Sequence, residues 1–147
     1  MRFFHQETKY TCGPACMRII IDSFGIVKSE KQVANLLKTN HVGGTWNENF
    51  PPVAEKFKLN YIVLRNSSLE ELKKLLSEGY RVIIGYQNTI EGVGHYAIAG
   101  KVDAKYVHLI DPKYGEYHKV PIRNFVRMWG YKQKHDKERR WLFGMKK

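Results

Sequence analysis

The chain has 147 residues, of which 43% are hydrophobic and 13% aromatic, with a formal net charge of +11. That length supports one domain over residues 1–147 with its own core, and is too short for two; ordinary hydrophobicity excludes a disordered chain. No stretch reaches the ~20 apolar residues of a membrane span, and the polar residues after Met1-Arg2-Phe3-Phe4 exclude the apolar region of a secretory signal, so the expected location is the cytoplasm.

The first element is a helix opened by Cys12-Gly13-Pro14. Proline suits a first turn because its fixed φ is already helical and its missing N–H would have no partner there. Cys16, Met17, Ile20, Ile21 and Phe24 recur at helical spacing and form a core stripe; Gly25 ends the helix. Cys12 therefore sits at the helix mouth, facing unpaired N–H groups and the positive end of the helix dipole, both of which favour thiolate over thiol. Gly13 is expected to leave the approach to its sulfur open. Cys16 reads as a core residue. Two cysteines four apart on one helix project along its axis, which suits free thiols in a reducing compartment better than a disulfide.

Ser29-Glu30-Lys31-Gln32 is a capping box that opens a short helix buried through Val33, Leu36 and Leu37. Asn40 to Thr45 is a glycine loop. Thr45-Trp46-Asn47-Glu48 has the form of a second box and starts a helix towards Phe57, with irregular first turns at Pro51 and Pro52. Leu59 to Arg65 alternates as a strand. Ser68-Leu69-Glu70-Glu71 is a third box, opening a helix buried through Leu69, Leu72, Leu75 and Leu76 and ending at Gly79. Strands follow at Arg81 to Gln87, Gly94 to Val102 and Lys105 to Ile110, the last two joined as an antiparallel hairpin by Asp103-Ala104. Asp111 to Gly115 is a turn and Glu116 to Val120 a strand. Pro121 opens a helix through Phe125, Val126 and Trp129, and Trp141-Leu142-Phe143 closes the sheet. Helices first and strands afterwards predict an α+β fold, with N-terminal helices packed on a C-terminal antiparallel sheet.

The hairpin carries the chemical inference. His95 heads one strand and Asp111 ends its partner, so the two meet where the strands' outer ends meet. A carboxylate beside an imidazole fixes its tautomer and stabilises the imidazolium. An imidazole that also reaches Cys12 supplies the base that activates a thiol. Cys12, His95 and Asp111 thus make a candidate triad, and the side-chain amide of Gln6, with the backbone N–H of Cys12, makes a candidate oxyanion hole. His5, His41, His108, His118 and His135 have no ligand spacing with one another or with the cysteines, so no zinc site and no cofactor is expected. Gly43-Gly44 lacks the residues of a phosphate loop.

The run Gln6 to Ala15, with its glutamine six residues before Cys-Gly-Pro-Ala, is followed by the Gly-Thr loop, by Gly94-His95-Tyr96-Ala97 and by Asp111-Pro112. This order resembles the papain-like cysteine peptidases that trim double-glycine leaders from bacteriocin precursors, a family whose peptidase domain usually heads an exporting ABC transporter. The resemblance implies a papain-like fold, a peptide or protein substrate, and a thioester acyl-enzyme on Cys12. It implies His95 as general base and acid, Asp111 as the orienting residue and Gln6 as oxyanion donor. Gly44 and Trp46, with His41 beside them, and Gly94 next to the imidazole, are expected to line the substrate cleft. Thr11 departs from the pattern, since the family often has an acidic residue there. No transporter domain follows, which leaves a stand-alone form with any transporter supplied on a separate chain.

Two rival readings stay open. An acyl transferase of transglutaminase-like or arylamine-acetyltransferase-like type uses the same order of Cys, His and Asp. A non-catalytic basic module would instead use the charge, which permits binding to nucleic acid, an anionic membrane or an acidic peptide without choosing among them. Basic residues are spread along the chain; the densest run, Lys132 to Arg140, lies in a basic C-terminal segment from about residue 130, outside the resemblance.

Overall fold

The computed structural model describes residues 1–88, 93–131 and 138–147. Helix α1 spans Cys12–Ser23 and buries Cys16, Met17, Ile19, Ile20 and Ile21 completely. It stops where Gly25 takes a left-handed φ of +87°, open to glycine at no steric cost. Helix α2, Glu30–Leu36, begins as expected: the Ser29 hydroxyl accepts from the Gln32 amide at 3.1 Å, and the Gln32 side chain accepts from the Ser29 amide at 2.9 Å. The same reciprocal pair, Ser68 with Glu71, opens α4 at Leu69–Ser77. Each such cap contributes about 1 kcal/mol by satisfying N–H groups that a helix start leaves without partners.

The box read at Thr45 does not form. Thr45 Oγ1 lies 2.6 Å from Thr39 Oγ1, so its hydroxyl binds the loop before it instead of the backbone after it. The chain instead makes a 3-10 turn at Asn47–Asn49 and then α3 at Phe50–Lys56. Pro51 and Pro52 fall in the first turn of α3, where the missing N–H groups cost nothing.

Six strands form one sheet: β1 Asn60–Leu64, β2 Arg81–Asn88, β3 Val93–Val102, β4 Tyr106–Asp111, β5 Gly115–Pro121 and β6 Leu142–Lys146. Their order is β1-β6-β2-β3-β4-β5, and all the pairings are antiparallel. The last strand therefore does not close the sheet at an edge. It lies between β1 and β2, joining the edge strand to the rest. The chain leading into it is tied down by the Ser67 hydroxyl, which donates to the Arg140 carbonyl at 2.7 Å, and by the Asn66 amide, which donates to Arg139. Lys132, Lys134, His135 and Lys137 of the basic segment lie outside the described residues.

Strand alternation divides the core in two. Ile83, Ile98, Phe143 and Met145 join residues of α1, α2 and α3. Val82, Ile84, Ala97, Ala99, Leu109 and Leu142 instead meet Leu72 and Leu75 of α4, and Phe125 and Trp129 of α5, Ile122–Trp129. The helices thus cover both faces of the sheet. Among the described residues no helix is long and apolar enough to cross a membrane.

Gly13 serves packing more than access. It is buried, and a Cβ placed on it would lie 2.7 Å from Thr45 Oγ1 and 3.0 Å from Thr45 Cβ. Its missing side chain lets the loop after α2 lie against the start of α1. Gly13→Ala is expected to lower stability by roughly 1–3 kcal/mol, read from urea unfolding, because the added methyl must push Thr45 off Thr39. A change below about 0.5 kcal/mol would contradict that contact.

Candidate active site

α1 lies across β3, so the helix mouth carrying Cys12 and the strand start carrying His95 come together at one end of the sheet. Cys12 is the first residue of the helix and half-buried, whereas Cys16, one turn on, is fully buried. Both thiols are free. Burial, with the negative charge of Cys12 and Asp111 added to it, pushes the Cys16 thiol well above the usual range, which leaves it inert.

The hairpin delivers the second pair. The Asp103 carboxylate accepts from the amides of Lys105 at 2.8 Å and Tyr106 at 2.7 Å, fixing the turn between β3 and β4. Ile98 then lies opposite Ile110. With that register Asp111 reaches the imidazole: His95 Nε2 stands 2.8 Å from Asp111 Oδ1. Cys12, at the mouth of α1, is near enough to the ring for its charge to favour the protonated imidazole. Burial of His95 opposes its charge, but the bonds to Asp111 and Cys12, and their negative charge, outweigh it and raise its pKa to about 10.

Asp111 is fully buried, a costly place for a carboxylate unless its oxygens are satisfied. Here they are. Oδ1 accepts from His95 and from the backbone amides of Lys113 at 2.9 Å and Tyr114 at 3.1 Å, and Oδ2 accepts from the Tyr86 hydroxyl at 2.6 Å. Burial works to raise the Asp111 pKa, yet the bonds from His95, Tyr86 and Lys113 bring it below the ordinary carboxylate value. The residue is at once a turn cap and the partner of an imidazole.

Tyr86 escaped the reading of the sequence. In β2 it follows Val82 and Ile84 on the alternating buried positions and reads as one more core side chain. The available signal was its hydroxyl: a tyrosine on a buried strand position needs a partner for its O–H. It lies opposite His95 in the β2–β3 ladder.

Gln6 is near but differently engaged. Its backbone amide donates to the Pro112 carbonyl at 2.9 Å, tying the N-terminal loop to the turn beside Asp111. One hydrogen of its side-chain Nε2 goes to the Thr8 carbonyl at 2.7 Å, and its Oε1 is buried with no hydrogen-bond partner among the described residues. The loop expected to line a cleft runs alongside. Gly44 takes φ +66° close to the Tyr10 carbonyl, the Tyr10 ring meets His41 edge-on at 6.4 Å, and Trp46 is 39% exposed. Gly94 is exposed beside His95, paired with Gln87 of β2. Among the described residues no group of three or more His, Cys, Asp or Glu side chains is placed to hold a metal ion.

A profile of the Peptidase C39 family matches residues 1–132. No curated protein sequence matches the chain. Solved structures do. The peptidase domain of Streptococcus ComA, a bi-functional ABC transporter involved in a quorum sensing pathway, superposes with a TM-score of 0.77 at 16% identity, over 98% of this chain and 96% of that one. A C39-like peptidase from Bacillus anthracis gives 0.74 at 17% identity, over 99% and 94%. A double glycine motif protease from an AMS/PCAT transporter, solved with the leader peptide, gives 0.73 at 18% identity, over 99% and 91%. At such identities these likenesses concern the fold, and the expected papain-like α+β arrangement is borne out.

The ion pair has a defined pH range. His95 has a folded pKa of about 10 against an ordinary value of 6.5, so its stabilisation is complete below about 6.5 and lost as pH rises through about 10. Asp111, held below 3.8, contributes above about that value and loses its contribution as pH falls further. NMR titration should find the His95 ring protonated at pH 8, with its midpoint lowered by about one unit or more in Asp111→Asn and by less in Tyr86→Phe. A parent midpoint near 6.5, or equal midpoints in all three proteins, would contradict the geometry.

Proposed function

This chain belongs to the Peptidase C39 family and is a cysteine peptidase, and from that premise we propose that it trims a leader peptide from a precursor, using Cys12, His95, Asp111 and Gln6. The observation that carries this reading is the largely buried His95 ring, bonded through Nε2 to Asp111 at 2.8 Å and close enough to Cys12 to feel its charge. An imidazole held beside a cysteine in this way is the arrangement that activates a thiol nucleophile.

In the proposed reaction Cys12 Sγ attacks the carbonyl carbon of the scissile bond. The resulting oxyanion is met by the Cys12 backbone N–H at the start of α1 and by the Nε2 hydrogen of Gln6 not given to Thr8. His95 gives its proton to the leaving amine as the C–N bond breaks, which leaves a thioester on Cys12 and a neutral imidazole. The imidazole then takes a proton from water, the hydroxide displaces the sulfur, and the acid product leaves with the ion pair restored. Asp111 keeps the ring aimed throughout and stays ionised.

Gly44 lies against Tyr10, the Tyr10 ring meets His41 and Trp46 is exposed nearby along the loop, and one structural neighbour was solved with a leader peptide bound. We assign Gly44, Trp46 and Gly94 to substrate contact on that basis. The free thiols fit work in a reducing cytoplasm, on a precursor delivered by a transporter.

Incubation with peptides containing a Gly-Gly pair, followed by mass spectrometry, should give cleavage after the second glycine, abolished in Cys12→Ala. His95→Ala should slow alkylation of Cys12 near neutral pH by about tenfold or more and reduce cleavage about 10²–10⁴-fold, while Asp111→Asn keeps the fold and loses most activity. Transfer of the acyl group to added amines without hydrolysis, or cleavage that survives Cys12→Ala, would overturn the reading.

A further inference from the structure

The segment from Gln6 to Thr8 has no regular secondary structure, yet its successive amides are each held by a different part of the molecule. The Gln6 amide donates to Pro112 O in the turn after Asp111, at 2.9 Å. The Thr8 amide donates to Thr11 Oγ1 at the start of α1, at 3.1 Å. Between them the Glu7 amide donates to both carboxylate oxygens of Glu30, at 3.1 Å each.

Glu30 is the unusual member of this set. It stands on the first turn of α2, where acidic residues are commonplace and normally face water. Here it is 3% exposed. Burying a carboxylate costs several kcal/mol unless it is compensated; the Glu7 amide and the charge of Arg18 offset part of that cost, while burial and the Glu7 charge still raise the Glu30 pKa above its ordinary value. Arg18 in turn reaches Glu7 at 3.6 Å. One carboxylate thus grips the residue after Gln6 with both its oxygens.

We infer that Glu30 is a positioning residue that holds the Gln6 side chain at the oxyanion site by fixing the Glu7 amide. This rests on the proposed role of Gln6. Glu30 touches no substrate atom; it acts through the backbone of the loop. Without it the loop stays attached at Pro112 and at Thr11, with the peptide between Gln6 and Glu7 free to turn, so that the amide of Gln6 is no longer aimed. Removal of one oxyanion donor costs ~10²–10³-fold in kcat, and misdirection of the donor should cost part of that.

The test compares parent, Glu30→Ala, Gln6→Ala and the double variant on a Gly-Gly peptide that the parent cleaves. Glu30→Ala is expected to lower kcat about tenfold or more with KM within about twofold, and to leave the rate of Cys12 alkylation within about twofold of the parent. In the Gln6→Ala background the same change should have no further effect on kcat. Where Glu30→Ala does not fold, Glu30→Gln keeps one acceptor oxygen; it should show a smaller loss, about threefold, that again vanishes in the Gln6→Ala background. Equal kcat in parent and Glu30 variants, or losses that multiply in the double variant, would overturn this inference while leaving the peptidase reading intact. A parent with no Cys12-dependent cleavage would overturn that reading and this inference with it.

Discussion

The fully buried carboxylate of Asp111 is the constraint on which the site depends. A charge placed there is tolerated only because donors reach it from separate parts of the chain: the Tyr86 hydroxyl from β2, the His95 ring from β3, and the amides of Lys113 and Tyr114 from the turn that leaves β4. Removal of a donor would leave part of a buried charge unsatisfied, so the strands are held in one register by the same group that orients the imidazole. The turn passes this order onward. Pro112, next to Asp111, accepts the Gln6 amide, so the position of the N-terminal loop is fixed by the loop that fixes the histidine.

Much of this was legible because it is local. The boxes at Ser29 and Ser68 depend on residues three apart, and the start and end of α1 depend on Pro14 and Gly25. The hairpin was legible too, from a turn between two β-rich runs, and with it came the pairing of His95 and Asp111. Thr45 shows where local pattern fails. Its spacing to Glu48 is that of a capping box, but the hydroxyl found Thr39 first, and that choice is made by loop packing against Gly13. Tyr86 and Glu30 were missed for a related reason. A tyrosine among strand residues and a glutamate on a first turn are both unremarkable locally; what distinguishes them is a partner 25 residues away for one and 23 for the other.

Sheet order was the least legible feature. Trp141-Leu142-Phe143 has the composition of a strand, but nothing in it says which neighbours it takes. Its place between β1 and β2 has a consequence for the site. β3, which carries His95, is flanked by β2 and β4, and β2 is backed in turn by β6. The imidazole therefore rises from the end of β3 that pairs with β2 through Tyr86, just before β4 joins at Ile98, with helices on both faces of the sheet. The ring is anchored by the Asp111 carboxylate, and the loops Gln6 to Thr11 and Asn40 to Trp46 are the less regular part of the structure near it.

The two cysteines show how finely position sets reactivity. Both lie on α1, one turn apart, and Cys16 feels the negative charge of Cys12 and Asp111. Cys16 meets that charge fully buried, with its backbone N–H inside the helix, and burial keeps it a thiol. Cys12 occupies the first helical position, where N–H groups lack intrahelical partners, and its charge is felt by the His95 ring. A shift of a single turn exchanges a solvent of peptide dipoles and an imidazolium for one of isoleucine side chains. The sulfur proposed as nucleophile is therefore specified less by the cysteine itself than by the place where α1 begins, where the Thr11 carbonyl accepts the Ala15 amide at 3.0 Å.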